Sequence, residues 1–528
     1  MSAQRRAANL ATALTLCARR LPTELALVHG STRWTWGELD ARVDALAGEL
    51  ADRGVAAGDC VLLDSPNHPD FVVAMYATWR LGAVLAPVNS RLHASDVAGM
   101  AAVCRPTAMI AHASTASHAA AVADAVEGLR ATLWVDGDGP DAVAGATGGF
   151  LRGDHPVHAG DPAWYFFTSG TSGPPKAAVL THDQLGFVIT NHLADLMPTT
   201  TEADRSIVVA PLSHGAGIHL LPQVARGAAT VLTESPGLDA GEVWRLVEAE
   251  RVSNAFTVPT ILNKLVEHPA AAAHDHSSLR YVVYAGAPMT SRDQQRAREV
   301  LGEVLVQYYG MAEATGNVTV LPPWAHGHRS PEGVDFGTCG YPRTGMQVSI
   351  QDPDGVEVTT GVDGEVCVAG PAVFPGYLDN PAATEAAFRD GWYCTGDVGR
   401  FDEAGYLYLT GRLSDMFISG GSNVHPRDIE EKLFEHPDVV EVVVLGMPDA
   451  TWGEIGAAVC VRAAGSTLDA AALRGWAAER MARYKVPRHI VFWDELPRSG
   501  YGKIVRRTVR ERLVEAGWGA DGPAEALR

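Results

Sequence analysis

Phe167-Thr-Ser-Gly-Thr-Ser-Gly-Pro-Pro-Lys176 concentrates groups that bind anions. Its hydroxyls (Thr168, Ser169, Thr171 and Ser172) can donate hydrogen bonds. Gly170 and Gly173 let backbone N–H groups come close to a phosphate, and Lys176 adds charge. The run does not fit GxxxxGK[ST], so it is not a Walker loop. Further along lie Tyr309-Gly-Met-Ala-Glu313, Tyr393-Cys-Thr-Gly-Asp397, Gly411-Arg412 and Pro497-Arg-Ser-Gly-Tyr-Gly-Lys503-Ile-Val-Arg506. Taken singly, each is commonplace: a Gly-rich surface loop, a turn, or a solvated basic face. Their order along the chain gives them weight.

In that order they resemble the adenylate-forming superfamily of acyl-CoA synthetases, peptide-synthetase adenylation domains and luciferases. That family's phosphate loop reads approximately [ST]SG[ST][ST]GxPKG, with Ala177 here in place of the last glycine. Its YGxTE motif resembles Tyr309 to Glu313, with Ala312 where threonine is usual. By this resemblance Tyr309 packs on adenine and Glu313 holds Mg²⁺. Gly286-Ala287-Pro288 is similar to the turn beside adenine and the acyl group. Pro211-Leu212-Ser213-His214 is similar to the segment bordering the acyl pocket, which makes His214 a candidate catalytic or pocket residue.

Tyr393 to Asp397 matches [YF]xTGD. A carboxylate accepts hydrogen bonds from two ribose hydroxyls at once, and the resemblance gives Asp397 that role, joined by Arg412. Ser414 stands at the family's hinge position, where Asp or Lys is usual. Gly420 and Gly421 would line the pantetheine approach. Lys503 would be the catalytic lysine, stabilising charge that builds as a carboxylate attacks the α-phosphate.

The elements that must position these residues follow from patterning. Trp164 to Phe167, Ser206 to Ala210, Tyr281 to Gly286 and Val304 to Gly310 read as strands, several running into Gly- or Pro-containing loops. Gly241 to Arg251 and Ser291 to Val300 read as helices between them. This alternation predicts βα units and parallel sheet, with ligands at the carboxyl ends of strands. Gly340 to about Thr410 reads as a small antiparallel β region. Pro426 to Glu435 and Leu468 to Arg483 then read as helices, and Val439 to Leu445 and His489 to Trp493 as strands. The fold class is therefore α/β. A large N-terminal domain (1–413) has mixed, mainly parallel sheets plus a small β-barrel-like region. A small C-terminal α/β domain (414–528) follows, which the resemblance implies is mobile. The uncharged stretch between Arg205 and Arg226 reads as a buried strand followed by a loop, because its prolines and glycines would break a spanning helix. Glycines 215, 217, 286, 310 and 316 are expected to leave room beside the reacting carbonyl.

Composition bounds the rest. The 528 residues carry a formal charge of −20, which disfavours nucleic acid and anionic membranes as general partners. Seven scattered cysteines without a CxxC pair fit a reducing cytoplasm. The N-terminal segment reads as an amphipathic helix rather than a signal peptide. Gly517 to Gly522 fits GxGxxG but lacks the flanking strand and helix that motif needs, and no GxSxG elbow is present.

The implied activity is that of an AMP-forming acid–thiol ligase, an acyl-CoA synthetase. ATP converts a carboxylic acid to acyl-AMP with release of pyrophosphate, and CoA then takes the acyl group. ATP, Mg²⁺ and CoA are the implied small molecules, and monomer and homodimer are both open. One alternative is a stand-alone ligase that passes the acyl group to a carrier protein or another nucleophile. The other is a degenerate, non-catalytic nucleotide-binding protein, motivated by Ala312 and Ser414.

Overall fold

The computed structural model describes residues 5–136, 141–146, 153–168, 175–287, 289–328, 337–419, 422–449, 451–498, 504–519 and 522–523. Its two largest sheets are mixed and contain the parallel pairs that the alternation predicts. A six-stranded sheet runs in the order Lys176–Thr181, Pro162–Thr168, Val84–Val88, Cys60–Asp64, Ala108–His112, Ala131–Val135. All neighbours in it are parallel except the first pair. A nine-stranded sheet has a parallel centre that includes Arg205–Val208, Asn254–Thr257, Tyr281–Tyr284 and Leu305–Tyr309. The central strands are nearly continuous apolar runs because helices cover both faces. Helix Pro69–Arg80 is buried along its whole length, and Trp79 Nε1 donates to the Ala163 carbonyl (2.7 Å). The charge of buried Arg80 is met by Asp40, Asp154 and Asp44 at 2.5, 3.2 and 3.5 Å.

The third sheet is antiparallel and is the predicted β region. Its strands are Gln347–Gln351, Gly364–Ala369, Trp392–Phe401, Phe388–Arg389 and Leu407–Arg412. A fourth sheet carries Phe417–Ser419, Ser422–Val424, Val439–Asp449, Gly453–Arg462 and His489–Phe492. Helix Pro426–Phe434 packs against it, with Ile429 and Leu433 facing its core.

Two expectations are corrected. After strand Arg205–Val208 the chain forms helix Gly215–Arg226, not a loop. Nine of its residues are buried, Pro222 among them, so tertiary burial outweighs the helix-interior cost of proline. The helix expected over Leu468 to Arg483 is confined to Ala470–Ala478. It starts where the Asp469 carboxylate accepts from the Ala472 N–H, an ordinary N-cap. Among the described residues no helix is long and apolar enough to cross a membrane.

Candidate active site

The phosphate-loop segment is flanked by two antiparallel strands, Pro162–Thr168 and Lys176–Thr181. Thr168 ends one strand, Lys176 begins the next, and the two face each other across the pair. Ser169, Gly170, Thr171, Ser172 and Gly173 lie outside the described residues. Lys176 Nζ sits 5.3 Å from the centre of the Tyr377 ring, a cation–π contact. Tyr377 donates its phenol proton to Glu313 Oε1 at 2.8 Å. Burial and the neighbouring carboxylate push the Tyr377 phenol well above its usual range, so it remains a neutral donor.

Glu313 is buried in the short turn that follows strand Leu305–Tyr309, and its carbonyl accepts from the Phe374 N–H (2.7 Å). With Ala at 312, the hydroxyl in this turn belongs to Thr315. That hydroxyl is already committed inward, accepting from Gln184 Nε2 at 2.7 Å. A lysine, a phenol and a carboxylate from three separated segments thus form one polar line. Tyr377 is a site residue that sequence reasoning missed. Its only local signal is an aromatic after Pro375-Gly376, which has no motif spacing of its own.

The Thr-Gly-Asp segment turns out to be a bulge within a ten-residue strand, not a turn. Cys367 faces Cys394 and Glu365 faces Val398, so Thr395, Gly396 and Asp397 together oppose Val366 alone. Each residue has a job there. Thr395 Oγ1 donates to the Val366 carbonyl (2.8 Å) and accepts from the Asp397 N–H (3.0 Å). Gly396 takes φ +73°, where a side chain would be strained, and its N–H donates to Glu365 Oε1 at 3.2 Å. The bulge turns the buried Asp397 carboxylate toward two partners. Tyr309 O–H donates to Oδ2 at 2.6 Å, and Arg412 Nε donates to Oδ1 at 2.9 Å from the facing strand. The Asp397 charge raises the guanidinium pKa of Arg412. Tyr393, buried at the start of the bulge, has its phenol pushed up by burial and then by Glu313, Tyr377 and Asp397.

Gly286 follows strand Tyr281–Tyr284 at φ +84° with Ala287 half-buried beside it, and Pro288 lies outside the described residues. The expected open space is corrected by what a Cβ would meet. At Gly215 it would lie 2.5 Å from the Phe256 ring, and at Gly217 2.1 Å from the Leu212 carbonyl oxygen. At Gly310 it would lie 2.4 Å from Gly316, and at Gly316 2.7 Å from the Tyr308 ring. These four glycines allow close packing; only Gly286 faces space, with Val258 nearest at 3.8 Å. His214 precedes helix Gly215–Arg226, its Nδ1 2.9 Å from Ser213 Oγ and its ring edge-on to Phe166 at 5.3 Å. It belongs to an aromatic wall with Phe166.

Beyond Arg412, Ser414 Oγ lies 3.2 Å from Asp415 Oδ1. Arg506, the last residue of the lysine motif, is 3.3 Å from Asp415 and 2.6 Å from Glu430, and donates to the Val444 carbonyl at 2.7 Å. The residue after Ser414 is thus fastened to the fourth sheet. Lys503, Gly420 and Gly421 lie outside the described residues.

A family model described as AMP-binding enzyme matches residues 14–378, and one described as AMP-binding enzyme C-terminal domain matches 428–503. The chain is an AMP-binding enzyme of the adenylate-forming family. Feruloyl-CoA synthase from an Amycolatopsis species is 37% identical to this AMP-binding enzyme over 511 residues, 94% of this chain and 97% of that one. A long-chain-fatty-acid–CoA ligase from Mycobacterium tuberculosis is 33% identical over 504 residues, 93% of this chain and 96% of its own. Among solved structures, o-succinylbenzoate CoA synthetase from Bacillus subtilis, in complex with its acyl-adenylate intermediate, superposes with a TM-score of 0.83 at 28% identity. That superposition covers 94% of this chain and 97% of the other.

Proposed function

We propose that this AMP-binding enzyme activates a carboxylic acid with ATP and transfers the acyl group to CoA, with the residues above in the following roles. The arrangement that carries the reading is the bulge-mounted Asp397, held by Tyr309 and Arg412, beside the Glu313–Tyr377–Lys176 line. Asp397 has acceptor capacity for ribose hydroxyls, and Arg412 is its ion-pair partner. Tyr309 presents a ring for adenine while its hydroxyl stays on Asp397. Thr168, Lys176 and the loop between them bind phosphate oxygens.

Glu313 fits a magnesium ion: among the described residues its carboxylate accepts one side-chain hydrogen bond, from Tyr377, and Mg²⁺ is commonly held by one or two carboxylates together with substrate phosphates. When bound, the ion neutralises phosphate charge. Tyr377 orients the Glu313 carboxylate by its hydrogen bond, and Lys176, against the Tyr377 ring, is a second positive charge for the same phosphates.

In the first half-reaction a carboxylate oxygen of the acid attacks the α-phosphorus and pyrophosphate leaves. Lys503 supplies the positive charge at the reacting centre. Residues 414–528 then turn about Ser414, Lys503 withdraws, and the CoA thiolate attacks the acyl carbonyl, expelling AMP. Gly420 and Gly421 line the approach of the pantetheine arm. His214 with Phe166 forms an aromatic wall suited to a compact aromatic acid. The 37% identity to a feruloyl-CoA synthase supports the same class.

Pyrophosphate release is the test, measured with MgATP across aromatic and aliphatic acids with and without CoA. Acid-dependent release accelerated by CoA, strongest for aromatic acids, is expected. Release indifferent to CoA would move the acceptor to a carrier protein or another nucleophile. Preference for aliphatic chains would overturn the substrate class.

A further inference from the structure

Among the described residues, one group of metal-type ligands lies together: Glu365, Cys367 and Cys394, whose ligand atoms are all within 4.8 Å of one another. None has a part in the reaction above. Their convergence follows from strand geometry. Glu365 and Cys367 are two apart on strand Gly364–Ala369 and so share a face, and Cys394 is directly opposite Cys367 on the antiparallel neighbour. The two sulfurs are 3.7 Å apart. Two thiolates bound tetrahedrally at a metal–sulfur distance of about 2.3 Å would be separated by about 3.8 Å. Cys367 is fully buried, whereas Cys394 is half-buried and provides a way in from solvent.

The surroundings suit a divalent cation. Arg389 Nη2 donates to Glu365 Oε2 at 2.6 Å, and the Gly396 N–H donates to Oε1 at 3.2 Å. The carboxylate is thus already oriented by the outer hydrogen bonds that metal ligands usually have. Two thiolates and one carboxylate carry three negative charges, which a divalent cation and Arg389 cancel. We propose that Glu365, Cys367 and Cys394 form a site for a thiophilic divalent cation of the zinc class, with water as the fourth ligand. Binding releases the two thiol protons to solvent and leaves the sulfurs reduced. The site touches the ribose-side bulge through the Glu365–Gly396 hydrogen bond, so an occupant stiffens the strand that carries Asp397.

Cadmium is the probe, titrated into the phosphine-reduced full chain while the ultraviolet sulfur-to-metal charge-transfer band is followed. Wild type is expected to give a band that saturates at one equivalent and is displaced by zinc. Cys394→Ser and Cys367→Ala are each expected to abolish it, and Glu365→Gln to weaken binding about tenfold. Cys394→Ser alone decides the matter if the buried Cys367 variant does not fold. Absence of a band in wild type, or an undiminished band in Cys394→Ser, overturns the site. So does finding that reduction exposes two new thiols yet no metal is taken up, which would make the pair a disulfide instead.

Discussion

At the residue scale, Asp397 is the centre of the proposed nucleotide side. It is buried and receives hydrogen bonds from Tyr309 and Arg412. Asp397→Asn keeps the shape but removes the charge and one acceptor. Hydrogen bonds to charged groups contribute about 1.5–3 kcal/mol, so KM for ATP should rise about 10- to 100-fold. Steady-state kinetics at saturating acid checks this, and an unchanged KM would remove Asp397 from the ribose site. Lys503→Ala should cost about 10²–10³ in the rate of acyl-AMP formation, the usual loss for one preorganised charge donor. Thiolysis of supplied acyl-AMP by CoA should continue in the same variant. Acyl-AMP formed at the parental rate would show that Lys503 is not at the reacting centre. Asp397, Arg412, Glu313 and Tyr309 are legible in the sequence because each sits inside a spaced motif. Tyr377 is not, because its importance comes from a contact 64 residues away along the chain.

At the scale of elements, the chemistry rests on strand ends and one irregularity. The Thr-Gly-Asp motif is readable as letters. That it makes three residues oppose one is readable only from the register with strand Gly364–Ala369. The same limit explains the glycines: composition marks Gly310 and Gly316 as small, but only the folded chain presses their backbones together. Helix Gly215–Arg226 was hidden for a related reason, since proline and glycine argue against a helix locally while burial argues for one globally. Gly310→Ala would place a methyl 2.4 Å from the Gly316 backbone, which cannot rotate away. Overpacking costs about 1–3 kcal/mol, so Tm should fall by about 2–10 °C. Thermal unfolding followed by circular dichroism checks this; no shift would mean the backbones separate easily.

At the scale of the whole molecule, the strand sequence and the antiparallel region were legible, because patterning and turn signals act locally. How the last segment is fastened was not: Arg506 reaches Asp415, Glu430 and Val444 only after folding. Ser414→Pro fixes φ at the proposed hinge. It should spare one half-reaction and suppress the other, whereas equal effects on both would argue against rotation there.

Protonation should also act globally. His68, His182, His219 and His326 have pKa values lowered to about 4, chiefly by burial. Their unfolded forms bind protons near pH 6.5, so between about pH 6.5 and 4 the unfolded chain takes up more protons, and stability is lost as the pH is lowered. Asp64 and Asp70, raised to about 6 by burial, oppose this but are fewer. Denaturant midpoints should therefore drop steadily from pH 7 to 5, and a flat profile would contradict the neutral buried histidines.

The most direct test of the account is the fate of the acid's oxygen. With a carboxylate fully labelled with ¹⁸O, MgATP and CoA, the AMP produced should carry one labelled oxygen and the pyrophosphate none, as read by mass spectrometry. The label follows from attack of the carboxylate on the α-phosphorus and later expulsion of AMP by the thiol. Unlabelled AMP, or label in pyrophosphate or phosphate, would contradict activation through an acyl-adenylate.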